Sequence, residues 1–260
     1  MGGRIRFEKE GALGWIVFDQ PERRNAISVE MWEQLPAAVS ALEEDAAVRV
    51  VAMRGEGDAF VAGADISQFA DRRTGADDVS DYGRLAGHGL AALLNLEKPL
   101  LASLRGPCIG GGVVVALTAD LRFAADDAFF RIPAARLGLG YEAGGIQALA
   151  DAVGWSDALD LLFTARRIDA HEACRLRLVN EVSPAADLDA LVRERADRIA
   201  ENAPLTLHAL KLAARELRKP AKSRDMDAVG AAYAACFSSE DYREGVRAFL
   251  EKRKPRFRGC

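Results

Sequence analysis

"PCIGGGVVVALTAD", Pro107 to Asp120, sets three glycines directly ahead of three valines. Glycine loses more freedom on folding than any other residue, and valine offers only hydrocarbon. A run that accepts this loss three times predicts a place where bare backbone is needed. A helix starting at Gly110–Gly112 and running through Ala119 would meet that need. Its first amides have no partner inside the helix, no side chain screens them, and the helix dipole adds positive potential. Such a start can hold an anion or a developing oxyanion. Consecutive glycines also allow a helix to pack closely on a strand, so both readings stay open at this level.

Working outward, "FVAGADI" repeats the logic. Ala62, Gly63 and Ala64 are small enough for a ligand to approach their amides. Two such loops can supply the two donors of an oxyanion hole, which stabilises charge developing on a carbonyl oxygen. Upstream, the spacing predicts a hairpin over Ile5–Phe7 and Gly14–Phe18, then a helix N-capped by Ser28 that Pro36 should kink or delay. "VRVVAMRGEG" and "PLLASLRG" read as strands, and "LRFAADDAFFRIP" as two short strands about Asp126–Asp127. Polar Asp71–Asp81 reads as a loop before a helix over Tyr82–Leu94. From Gly144 onward the pattern is helical except for a last strand in "RLVNEVSP"; Asp169 with Glu172 forms a capping box, and Pro204 suits a first turn. Strands followed by helices argue for an α/β class, with residues 1–187 as core and a helical C-terminal region over 188–260.

Bulk properties narrow the function. The chain has 260 residues, half of them hydrophobic, and a formal net charge of -4 with the two signs intermixed, which argues against a nucleic-acid partner. Cys108, Cys174, Cys236 and Cys260 are scattered without a CxxC pair, so neither a disulfide framework nor structural zinc is expected, and a reducing, cytoplasmic setting fits. No segment reads as a signal peptide or membrane span, and no histidine has a partner at metal-ligand spacing. "GLGYEA" fits a dinucleotide-binding pattern, but "PAARL" ahead of it is no apolar strand.

"QPERRNAIS", "FVAGADI", the "GGG" after "RGPCI", "FTARRIDAHEACRLRLVNEV" and "REGVRAFLEKRKPRF" occur in the order and spacing of the crotonase (enoyl-CoA hydratase/isomerase) superfamily, which the chain resembles over nearly its whole length. That resemblance implies a spiral of ββα units, a helical C-terminal trimerisation region and an acyl-CoA thioester substrate. Coenzyme A would then arrive as part of the substrate, with no permanently bound cofactor. The amides of Ala64 and Gly111 would hold the thioester oxygen and stabilise an enolate, in a homotrimer or a hexamer of paired trimers. It also places Arg23, Ala26 and Ala62 along the coenzyme A, with Arg23 near phosphate, and matches Asp65 and Ile66 to the adenine-pocket loop. Phe249 and Lys252 match C-terminal residues that reach a coenzyme A, often on a neighbouring subunit. Binding is the favoured reading for Arg23 over an exposed basic turn, while "EKRKPRFR" can equally be a plain basic tail.

The pattern breaks where proton transfer belongs. Hydratases of the family use two glutamates as acid and base, and the matching positions here are Val114 and Ala134. Neither can move a proton, so ordinary hydration is expected to be poor. The nearest substitutes are Tyr141 and Glu142 in "LGLGYEAGG". By resemblance, dienoyl-CoA isomerases carry a functional aspartate at the position of Glu142. Methylmalonyl-CoA decarboxylase, whose C-terminal segment is also similar, carries a tyrosine at that of Tyr141, although it keeps the first glutamate. Glu142 in an apolar cleft would have a raised pKa suited to shuttling protons. Arg136 could meet an acidic acyl group or a structural partner, and His88 falls on a helix near the expected acyl pocket. Isomerisation and decarboxylation through Tyr141 and Glu142 are therefore the favoured chemistries. A non-catalytic acyl-CoA binder, or a hydratase with displaced residues, is the alternative.

Overall fold

A computed structural model describes residues 2–65 and 76–260. The alternation of the opening residues builds a hairpin of β1 (Arg4–Glu10) and β2 (Leu13–Asp19), turned at Gly11 with φ +61°. Strands β3 (Val50–Gly55), β4 (Leu100–Leu104), β6 (Leu121–Ala125) and β9 (Glu181–Ser183) extend it in parallel, in the order β1-β2-β3-β4-β6-β9. A smaller sheet, β5-β7-β8, joins β5 (Pro107–Ile109), β7 (Phe129–Arg131) and the two-residue β8 (Ile168–Asp169). Strand β8 is not foreseen in the sequence, because two residues leave no periodicity to read.

Side chains alternate across each strand, so β2 sends Ile16 and Phe18 to one face and Trp15 and Val17 to the other. On the first face lie α1 (Val29–Glu44), α2 (Ala76–Asn95) and α3 (Gly111–Leu117). On the second, Leu188, Val192 and Ala196 of α8 (Leu188–Ala200) pack against Trp15, Ala52 and Leu101. With both faces covered, β4 is buried at every position and is apolar apart from Ser103. Between β7 and α8 come α4 (Ala134–Leu137), α5 (Ala143–Val153), α6 (Trp155–Thr164) and α7 (Ala170–Arg175). The chain closes with α9 (Pro204–Arg218), α10 (Met226–Ser238) and α11 (Glu240–Leu250).

Several local expectations need correction. Helix α1 is not delayed by Pro36: it starts at Val29, where Ser28 accepts a hydrogen bond from the Met31 amide, and runs through the proline. Helix α2 begins at Ala76, six residues before the expected start, so part of the polar stretch is helical. Asp169 accepts from the Glu172 amide, but the Glu172 carboxylate turns to Arg166 and Arg175, leaving the capping box one-sided. "GLGYEA" follows the short helix α4, with Gly138 at φ +65° closing it, so the strand a dinucleotide fingerprint needs is absent there.

The three glycines answer to three different demands. Gly110 takes φ +54° and ψ -113°, a conformation open to glycine. A Cβ on Gly112 would lie 2.2 Å from the Val61 carbonyl oxygen, so the helix must be bare to pass that strand. Gly111 meets no such obstacle; its imagined Cβ lies 4.0 Å from the Ala64 nitrogen. Gly112→Ala is therefore expected to destabilise the protein by about 1–3 kcal/mol, whereas Gly111→Ala should stay within about 0.5 kcal/mol of wild type. Denaturant unfolding of the two variants checks this, and equal losses would show that only packing dictates the run.

Candidate active site

The segment after β3 is held from two sides. The Ile27 amide donates to the Gly63 carbonyl at 2.7 Å, and the Asp65 amide donates to the Ile27 carbonyl at 3.0 Å. In this parallel bridge the residue between, Ala64, has its own amide turned away from Ile27. On the other side the Ile109 amide donates to the Val61 carbonyl at 3.0 Å, and the Gly110 amide to the Arg131 carbonyl at 2.8 Å. The start of α3 is thus seated against the 61–65 segment. Among the described residues, neither the Ala64 nor the Gly111 amide donates to a carbonyl. Gly63, at φ +103°, makes the turn between the two anchor points.

Asn25 keeps the first anchor in place. It is fully buried at φ +57°, and its side-chain amide donates to the carbonyls of Glu56 (2.9 Å) and Ala59 (2.8 Å) while its oxygen accepts from the Gln20 amide (2.9 Å). A Cβ on Gly55 would lie 1.9 Å from the Ala59 carbonyl oxygen and 2.5 Å from that side-chain nitrogen, which explains the glycine closing β3. Sequence reading missed this role; the available signal was an asparagine in a tight loop, a residue that tolerates left-handed backbone.

A cavity of about 390 Å³ opens beside the two amides. Ala62, Ala64, Gly111, Tyr141 and Glu142 all line it, together with Val114 and Ala134. Trp32 and Tyr82 form part of its wall, the Trp32 indole donating to the Tyr82 hydroxyl at 3.0 Å. Among the described lining residues there is no lysine, arginine or histidine, and Glu142 supplies the one carboxylate.

Tyr141 and Glu142 differ sharply. The Tyr141 hydroxyl is buried without a hydrogen-bond partner among the described residues. Its ring stands beside Val114: a Cβ on Gly145 would lie 3.0 Å from the Tyr141 ring and 3.4 Å from Val114 Cγ2. Burial, helped by Cys108 and Glu142, pushes the phenol's pKa above its ordinary value. Tyr141 therefore stays neutral and can donate a hydrogen bond, but is no base. The fully buried Cys108 thiol is likewise pushed up by burial and is no nucleophile. Glu142 is exposed, not sunk in an apolar cleft as expected. Its carbonyl accepts from the Gly145 and Ile146 amides of α5, while its carboxylate makes no cap and reaches across the mouth to within 3.6 Å of a Cβ built on Gly83 of α2.

The remaining candidates lie outside the cavity lining. Arg23 Nη1 bonds both oxygens of Asp65, at 2.8 and 2.6 Å, and Gln20 adds a third donor at 3.2 Å. Asp65 is buried and pinned, whereas Arg23 is half-exposed. Ala26 precedes the bridging Ile27. Phe249 is 83% exposed near the end of α11, and Lys252 follows that helix. Ile66 lies outside the described residues. Arg136 and His88 are both exposed and line no part of the cavity; Arg136 forms no ion pair among the described residues.

Comparison with known proteins converges on one lineage. The family model described as enoyl-CoA hydratase/isomerase matches residues 8–260. The chain belongs to the enoyl-CoA hydratase/isomerase family. A short-chain-enoyl-CoA hydratase of Clostridium acetobutylicum is 35% identical over 96% of this chain and 95% of its own. A peroxisomal Δ(3,5)-Δ(2,4)-dienoyl-CoA isomerase of Arabidopsis thaliana is 30% identical over 97% and 95%. Among solved structures, a family protein of Hyphomonas neptunium superimposes with a TM-score of 0.93 at 36% identity, covering 97% of each chain. The fold is thus the α/β crotonase fold, and the protein is a family enzyme acting on acyl-CoA. Two different reactions are named among its relatives, so membership alone does not select the chemistry.

A buried hydroxyl without a partner burdens the unliganded fold. Tyr141→Phe is expected to raise stability by about 1 kcal/mol in denaturant titration. A loss of stability would show that the hydroxyl serves packing.

Proposed function

We propose that this protein is an acyl-CoA isomerase that shifts a carbon–carbon double bond through an enolate. The observation that supports this most is the pair of amides, Ala64 and Gly111, which donate to no carbonyl among the described residues and line one cavity that holds a single carboxylate among its described residues. In this reading the two amides donate hydrogen bonds to the thioester oxygen. Glu142 removes a proton from the acyl chain, the electron pair passes into the enolate, and the proton returns to a different carbon. Nothing is gained or lost, so one carboxylate suffices. Substrate filling the mouth would exclude water from Glu142 and strengthen its interactions. Tyr141 donates a hydrogen bond where Val114 leaves the site without a proton carrier.

Two rival chemistries have less support. Hydration needs a group that activates water, and Val114 and Ala134 offer none. Decarboxylation would bring a second carboxylate into a cavity whose described lining has no cation and already holds Glu142. Like charges there would repel. For the coenzyme A itself, Arg23, Ala26, Ala62, Asp65, Ile66, Phe249 and Lys252 remain the assigned contacts. Phe249 would act in a neighbouring subunit of a trimer, since it stands far out on α11 beside exposed Leu250 and Tyr242. Tyr233, Phe237 and Tyr242 also stack in a largely exposed aromatic row, which suits a subunit contact.

Turnover of 2-enoyl-, 3-enoyl- and 3,5-dienoyl-CoA in heavy water, read by mass spectrometry, tests the proposal. The expected product is an isomer separable from the substrate by chromatography, with no added water and at most partial solvent deuterium, because the shielded Glu142 returns the proton that it takes. Glu142→Gln should lower kcat about a hundredfold or more, and Gly111→Ala about a hundredfold with its stability kept. A hydrated product as the main species, or binding without any turnover, would contradict the assignment.

A further inference from the structure

The cavity continues well past the oxyanion donors, and its shape speaks to the acyl group. Along α3 its lining residues are Gly111, Val114, Leu117 and Thr118, one face of the helix. Along α2 the matching row is Tyr82, Ala86, Leu90 and Leu94, four residues apart at each step. Helix α5 closes the third side with Gly144, Gly145 and Ala148. The space between these rows runs the length of α3, from the amide that would hold the carbonyl to Thr118. At 1.5 Å per residue those seven steps are about 10 Å.

Beyond Val114 the described lining is hydrocarbon apart from Thr118, whose hydroxyl already donates to the Val115 carbonyl at 2.7 Å. Nothing there would recognise a carboxylate or hydroxyl at the end of an acyl chain, and burying either without a partner is costly. The far end is not sealed. Leu94 lines the channel and is 51% exposed.

Resting on the acyl-CoA reading above, we infer that the substrate is a straight, unsubstituted acyl chain of medium length, laid along α3 and emerging beside Leu94. An extended hydrocarbon with bonds of about 1.5 Å at about 111° advances about 1.25 Å per carbon, so roughly eight carbons fill the channel. Each methylene buried on the way should tighten binding about fourfold, until the tail reaches Leu94 and the gain stops.

Saturated acyl-CoA esters, which have no double bond to move, give the cleanest test. Calorimetric Kd values are measured for butanoyl-, hexanoyl-, octanoyl-, decanoyl- and dodecanoyl-CoA, with a hexanoyl ester bearing a terminal carboxylate, which would lie inside the channel, as the polar control. The expected series improves on the order of a hundredfold between butanoyl and octanoyl, levels off by decanoyl, and rejects the carboxylate. Ala148→Phe, which plugs the channel one turn beyond Gly145, should collapse the ratio of butanoyl to octanoyl Kd towards one. Butanoyl-CoA bound as tightly as octanoyl-CoA by the wild-type protein would overturn the medium-chain inference and leave the acyl-CoA reading standing. Failure of every ester to bind would overturn both.

Discussion

The site depends on one short parallel bridge. Ile27 takes the carbonyl before Ala64 and the amide after it, and so turns the Ala64 amide away from itself, its nitrogen 4.0 Å from a Cβ built on Gly111 at the start of α3. No side chain could do this as firmly. A backbone amide oriented by its neighbours' hydrogen bonds has no rotamer to lose, and a donor fixed in advance needs no reorganisation when charge develops. The surrounding oddities serve that bridge. Asn25 is buried at positive φ to carry the chain into Ile27, Gly55 is bare to admit the Asn25 side chain, and Gly112 is bare so that α3 can slide against Val61.

Chemistry is divided between this rigid backbone and a small set of side chains. In the proposed mechanism the amides hold the thioester oxygen, which every enolate route shares. The choice among routes falls to whatever can move protons, and here the interior positions hold Val114 and Ala134 while the carboxylate sits at the mouth. Tyr141 fills space beside Val114 with a neutral, unpartnered hydroxyl, so the interior offers a hydrogen bond but no base. Such a site suits a reaction in which a proton leaves and returns on one side of the substrate.

Much of this was legible in the residues themselves. "GGG" beside apolar valines and "FVAGADI" pointed to bare backbone; the packing reading of the glycines holds at Gly112, and Gly111 has the room that the oxyanion reading requires. The hairpin, the Ser28 cap and the buried strands follow from two-residue and helical periodicities. What escaped was set by tertiary contact. The exposure of Glu142 depends on where α5 begins relative to α2, and the Arg23–Asp65 pair joins residues forty-two positions apart. Nor could a local pattern reveal Asn25, whose partners are Gln20, Glu56 and Ala59. The two-residue strand β8 exists only because β7 is there to receive it.

The carbonyl stretch of a bound, unreactive acyl-CoA labelled with carbon-13 at the thioester tests the central claim most directly. Two amides converging on the oxygen would polarise the bond and lower its infrared frequency relative to the free ester. An unshifted carbonyl in the bound state would mean that Ala64 and Gly111 do not hold it, and the account of the site would fail.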